Sequence, residues 1–312
     1  GATAPGTRGT TGTWTSPPLP PAAAEPPFRA ATAYALVERD ADTVVLADLQ
    51  GGSTLFVNGD AYVGDGYGYQ FEGVPAPLRR GANHVYVSGL RGTFRLTLRP
   101  VAAPVLIGTW DATLPHLVRG VALAQPAALP IVNATGAPLP DVTIDVLPSG
   151  GFAATSTATG VTVPACASTK LAFDLVHDGA RDAGGDTVPL TVVVRSGGSE
   201  VARATLEATV RAPGDAHLRT FRSAGDGSAQ QYGVRPATSP GEAALLLTLH
   251  GASVGPMAQV NAYASKADLV VVAPTNRRPF GFDWQDWGRR DAYEVLDAAL
   301  ALTGIAPERV VL

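Results

Sequence analysis

The sequence predicts a mixed multidomain chain: two N-terminal β-sandwich domains followed by a parallel-sheet α/β segment. Three observations predict it. Gly (35) and Pro (26) are plentiful while charged residues are only 16%, which favours many short strands and turns. Apolar runs recur between turn residues through residues 28–211, the spacing of sandwiches. Near the end, Leu245–Leu249 and Leu269–Ala273 are short apolar runs that flank an amphipathic segment, which reads as strand–helix–strand.

Composition sets the bounds. At 312 residues and 46% hydrophobic, the chain can build more than one core. A net charge of −4 argues against a nucleic-acid partner. No apolar stretch is long enough to span a bilayer. The single cysteine, Cys166, excludes an internal disulfide; with no basic neighbour in sequence it reads as a small buried side chain.

Residues 1–27 read as a Pro/Gly-rich tether, with PPLPP and EPP favouring extended backbone. Trp14 is its exception, a side chain either docked on the next domain or left in solvent.

Residues 28–100 read as the first β domain. Asn58-Gly59 between apolar runs signals a tight hairpin turn. LFVNGDAYVGD resembles a hairpin of jelly-roll, galactose-binding-like modules, and PAPLRRGANHVYV resembles the turn and strand that follow it. That resemblance makes the domain jelly-roll-like and implies two readings. In one, Tyr62, Tyr67 and Tyr69 stack on pyranose rings while Asp60 or Asp65 accepts hydroxyl bonds. In the other, the tyrosines line the sandwich and the aspartates cap turns.

Residues 101–212 read as a second β-sandwich, with ALPIVNATG, DVTIDVLP, STKLAFDLVH, TVPLTVVVRSG and SEVARATLEATVR as strand signals. Asn133-Ala134-Thr135 matches a glycosylation triplet, which also arises by chance. His116 and His177 lack ligand spacing and read as surface or satisfied core histidines. The acidic loop 177–186 is spaced too widely for calcium and reads as a polar hairpin loop.

Residues 213–312 open with a hairpin around Gly225-Asp226-Gly227. Val254, Met257, Ala258, Ala262 and Ala264 define one helical face. Ala292, Val295, Leu296, Ala299 and Leu300 define a second, ended by a Gly304 cap. Asp291 suits the start of that helix, while Glu294 and Asp297 read as solvated.

HGAS at 250–253, APTNRRPFGFDWQDWGRRDAYEVLD at 273–297 and the terminal PERVVL resemble an α/β-hydrolase, more narrowly the prolyl-oligopeptidase-like serine hydrolases and related esterases. The resemblance implies an exported (secreted or periplasmic) serine hydrolase, a peptidase or carboxylic-ester hydrolase acting through an acyl-enzyme without a cofactor. It makes residues 213–312 the N-terminal half of a hydrolase domain that stops before the G-x-S-x-G elbow. His250, Gly251 and Ala252 would form the oxyanion loop, and Phe280, Phe282, Trp284 and Trp287 a wall of the substrate cleft. The other reading of that loop packs Phe280, Phe282, Trp284 and Trp287 over the sheet edge, with Arg277 and Arg278 paired to Asp283 or Asp286. The triad would lie outside this chain, leaving it inactive alone. Its partners would be the missing half, in cis or as another chain, and a peptide or ester substrate, with a glycan as a further candidate. The alternative is a carbohydrate-binding or adhesion protein with a non-catalytic α/β segment.

Overall fold

The computed structural model describes residues 3–5, 11–13, 32–66, 68, 73–90, 94–157, 160–179, 185–239, 241, 243–277 and 283–312. Trp14, Tyr67, Tyr69, Arg278, Phe280, Phe282 and most of the expected tether lie outside them. Within the start of the chain, β1 (Thr3–Pro5) pairs antiparallel with β2 (Thr11–Thr13). Backbone proximity groups the chain into two units: 1–111 with 130–142 and 161–169, and 112–129 with 143–160 and 170–312.

In the first unit, seven strands follow one another: β3 (Ala33–Arg39), β4 (Thr43–Gln50), β5 (Thr54–Val57), β6 (Asp60–Val63), β7 (Val74–Leu78), β8 (Gly81–Ser88) and β9 (Arg95–Pro100). They form two antiparallel sheets, ordered β3-β8-β5-β6 and β7-β4-β9. Side chains alternate across a strand, so every second residue faces the partner sheet. Leu55, Val57, Val85 and Val87 of one sheet share a core with Val45, Ala47, Leu49, Ala76, Leu78, Leu96 and Leu98 of the other. The β5–β6 turn has Asn58 at φ 52° and Gly59 at φ 97°, the paired left-handed residues a two-residue hairpin requires. Asn83 is buried beneath that turn. Its Nδ2 donates to Val37, Arg79 and Gly81 carbonyls, and its Oδ1 accepts from Asn58 Nδ2 and the Arg79 amide.

The next strands are β10 (Val105–Ile107), β11 (Leu117–Val118), β12 (Leu123–Asn133), β13 (Leu139–Val146), β14 (Thr155–Ser156), β15 (Val161–Val163), β16 (Ala167–His177), β17 (Thr187–Ser196) and β18 (Ser199–Arg211). One sheet runs β10-β12-β16 and another β11-β18-β17-β13-β14, with β15 also on β13. Burial follows the strand period: Phe173 and Leu175 on β16, and Leu190, Val192 and Val194 on β17, are essentially closed to solvent.

The last hundred residues hold β19 (His217–Arg222), β20 (Ala229–Arg235), β21 (Ala244–Leu247), α1 (Pro256–Asn261), β22 (Leu269–Pro274), α2 (Asp286–Thr303) and β23 (Val310–Val311). The sheet order is β19-β20-β22-β21-β23; β19, β20 and β22 are antiparallel neighbours, and β22, β21 and β23 are parallel. One face packs Tyr232, Val234, Leu245 and Val272 against Val295 and Ala299 of α2. The other packs Val271 and Ala273 against Val260 of α1. In α1, Pro256 and Val260 carry the burial, whereas the expected Ala258, Ala262 and Ala264 are exposed.

The described residues are 52% strand and 12% helix, and α1 and α2 are the two α-helices among them. This corrects the expected α/β-hydrolase domain, complete or incomplete, and with it the prolyl-oligopeptidase-like resemblance: a small mixed sheet with two helices stands where a parallel-sheet hydrolase domain was expected. A four- to six-residue apolar run bounded by Gly or Pro has the same pattern in a parallel, mixed or antiparallel sheet, so the pattern did not discriminate. Among the described residues no helix is long and apolar enough to cross a membrane.

Candidate functional site

Among the described residues singled out near the C-terminus, His250, Arg277, Asp291 and Glu294 make their contacts within the fold. His250 follows β21 and is buried, with Nδ1 3.0 Å from the Gly251 carbonyl oxygen. Trp284 donates its indole N–H to the His250 carbonyl at 3.0 Å, and the two rings meet edge to face. Gly251 and Ala252 are exposed. Trp287 is half exposed, with the Arg277 and Arg290 guanidinium carbons 5.1 and 5.3 Å from its ring centroid. Trp284 therefore braces the 250 loop, and Trp287 is a platform for two arginines.

Arg277 does not pair with Asp283 or Asp286 as expected. It bonds Glu294 at 2.8 Å and Ser223 at 2.7 Å, and lies 3.4 Å from Asp226 and 3.6 Å from Asp291. Glu294 is thereby drawn out of solvent: its carboxylate also accepts from Ser223 Oγ and the Gly225 amide. Asp291 is fully buried. Burial pushes its carboxyl up to about 6, against the pull of Arg277 and of the Asn276 and Arg277 amides. The cluster ties the β19–β20 hairpin and the loop after β22 to α2.

Other sequence candidates take structural places too. Tyr62 packs against the first core, and burial, followed by the Asp60 charge, raises its phenol. Asp65 is buried in a bridge to Gln50. Asn133 is buried and donates to the Ala137 and Pro164 carbonyls, so its amide is committed within the fold. Cys166 is partly covered, and burial raises its thiol, which disfavours the reactive thiolate. His177 is a satisfied core histidine between the Gly150 carbonyl and the Gly179 amide.

The outer face of the β3-β8-β5-β6 sheet is different. The strand period that sends Val85 and Val87 inward sends His84 and Tyr86 outward. On β3 it sends Tyr34 and Leu36 outward. Register then sets Tyr34 opposite Tyr86, Leu36 opposite His84, and Phe56 on the far side of Tyr86. Tyr34 is 38% and Tyr86 41% exposed, with ring centroids 4.8 Å apart and planes tilted by 40°. The Tyr34 hydroxyl lies 2.8 Å from His84 Nδ1, and those rings stack at 5.9 Å. The result is an exposed surface on which three rings contact one another. Sequence reasoning placed its aromatic candidates at Tyr62, Tyr67 and Tyr69 and missed these three. The i, i+2 spacing of His84 and Tyr86 was readable, but the register joining them to Tyr34 was not.

No family model matches the chain, and no curated protein matches it. Among solved structures it is similar to an exo-chitosanase of Amycolatopsis orientalis, at 14% identity and TM-score 0.33 over 65% of this chain and 27% of that one. It is also similar to a GH2 beta-galacturonidase of Eisenbergiella tayi, at 12% identity and TM-score 0.33 over 74% of this chain and 42% of that one. A third is a transglutaminase of red sea bream, at 12% identity and TM-score 0.27 over 61% of this chain and 30% of that one. The chain spans less than half the length of each. The mostly β architecture, with two α-helices among the described residues, corrects the expected serine hydrolase, peptidase or esterase acting through an acyl-enzyme.

Proposed function

We propose that this chain is a carbohydrate-binding protein that holds neutral pyranose rings on the outer face of the β3-β8-β5-β6 sheet. The observation that carries the proposal is the exposed Tyr34–Tyr86 pair, held in place by His84. A pyranose ring has an apolar face of C–H groups and a polar rim of hydroxyls. Tyrosine offers a matching apolar face with an electron-rich centre and a hydroxyl at its tip. Large exposed aromatics side by side on a rigid sheet lose little conformational entropy on binding. Leu36 and Phe56 extend the apolar floor, and the exposed Glu38 lies along the same face of β3 as an acceptor for sugar hydroxyls.

Calorimetric titration with neutral oligosaccharides tests this. A small, open face predicts a Kd of ~0.1–1 mM, about −4 to −5.5 kcal/mol. Tyr86→Ala should weaken binding at least about tenfold, whereas Tyr62→Phe, whose hydroxyl is not part of the face, should leave it unchanged. No saturable heat with any neutral oligosaccharide would contradict the proposal.

A further inference from the structure

The outer face of the β3-β8-β5-β6 sheet has a direction as well as a composition. Register places one outward residue of each strand in a single row. Tyr34 on β3 is opposite Tyr86 on β8, Tyr86 is opposite Phe56 on β5, and Phe56 is opposite Ala61 on β6. The row therefore crosses all four strands. Neighbouring strands lie ~4.7–4.9 Å apart, so the row is about 14 Å long, room for about three pyranose rings end to end.

The rows on either side are different. Two residues along the strands in one direction, Val63, Thr54 and Ser88 form one flank in register. Two residues along in the other direction, Leu36 and His84 form the second. The strand period turns these side chains to the same outer face as Tyr86. Thr54 and Ser88 are half-buried and bring hydroxyls; His84 brings an imidazole. Leu36 at 50% and Val63 at 61% exposure leave both flanks open to a ligand. The row and its two flanks hold no Asp, Glu, Lys or Arg; Glu38 lies one row further out, opposite Ala82. The strip is apolar along its centre, polar beside it and uncharged.

Such a strip discriminates between shapes of glycan. Pyranoses joined through equatorial bonds form an extended ribbon, with C–H groups on its two faces and hydroxyls along both edges. An axial bond curls the chain, so neighbouring rings turn away from any straight support and meet it one at a time. We propose that this face binds an extended, equatorially linked, uncharged glycan lying across the strands, along Tyr34, Tyr86 and Phe56. Its edge hydroxyls reach Thr54 and Ser88 on one side and His84 on the other. The inference rests on the carbohydrate reading of this face and adds the linkage, charge and direction of the ligand. The row ends on Ala61, an exposed methyl where the other three strands carry rings.

Calorimetry on the whole, unaltered chain tests this with β-1,4-linked gluco-, manno- and xylo-oligosaccharides against α-1,4-linked gluco-oligosaccharides of equal length. In at least one β-linked series, affinity should rise at least about tenfold from one ring to three and then level off, as each added ring meets an aromatic side chain. At three rings the α-linked chain should bind at least about tenfold more weakly than that series. Ala61→Tyr supplies the missing ring at the open end of the row. It should tighten binding of a four-ring β-linked chain about threefold or more and leave a two-ring chain unchanged. Equal binding of α- and β-linked chains, or an affinity that does not grow beyond one ring, would overturn the inference while the carbohydrate reading of the face stands. Binding of none of these glycans would overturn both.

Discussion

Tyr34 and Tyr86 face each other directly across β3 and β8, 4.8 Å between ring centres, on a sheet face turned to solvent. An aromatic cross-strand pair is worth about 0.2–1 kcal/mol. A double-mutant cycle with Tyr34→Ala and Tyr86→Ala should therefore show coupling of about 0.5 kcal/mol in urea denaturation. Each single variant should stay folded, so loss of ligand binding in them reports the face and not the core. A coupling energy of zero would mean that the two rings are not held together in solution.

Asn83 carries far more of the first sandwich than its size suggests. Five hydrogen bonds converge on its buried amide, one from Asn58 at the β5–β6 turn and three with Arg79 and Gly81 at the β7–β8 turn. Asn83→Ala strands Asn58 and three main-chain carbonyls, and the expected cost is about 2–4 kcal/mol. A loss below about 0.5 kcal/mol in chemical denaturation would contradict that network.

Gly304 ends α2 in the left-handed region, at φ 67°, with its amide donating to the Leu300 carbonyl at 2.8 Å. A Cβ meets open space there, so strain is the only penalty. Gly304→Ala should cost about 1–2 kcal/mol. An unchanged melting temperature would show that the helix end re-forms without the cap.

Asp291 makes stability depend on pH in an unusual direction for a carboxylate. Its folded-state value, about 6, lies above the ordinary 3.8, so the folded chain holds the proton more tightly. Its contribution is fully present below about pH 4 and is lost as pH rises through about 6. The full shift corresponds to at most ~3 kcal/mol. Denaturation of Asp291→Asn at pH 4 and pH 7 should show that fall reduced relative to the unaltered chain; an identical fall would assign it to other groups.

Local chemistry was readable where it is self-contained. Asn58-Gly59 announced its turn, Gly304 its helix end, and Ala292, Val295 and Ala299 the buried stripe of α2. Pairing between distant segments was not. Glu294 looks like a solvated helix residue until the loop after β22 delivers Arg277 to it. Tyr34 and Tyr86 are 52 residues apart, and only the β3–β8 register makes them one surface. The His250-Gly251 step after a strand suggested an oxyanion loop because a turn at a strand end has the same sequence whatever sheet it closes. In the structure the loop is pinned by Trp284, whose position the sequence attributed to a substrate cleft.

The most direct measurement is an NMR titration of the isotopically labelled chain with a neutral oligosaccharide, following main-chain amides and tyrosine side chains. The account predicts saturable shifts concentrated on β3, β8 and β5, centred on Tyr34, His84, Tyr86 and Phe56, and lost in Tyr86→Ala. Shifts that saturate elsewhere while this face stays silent would contradict it.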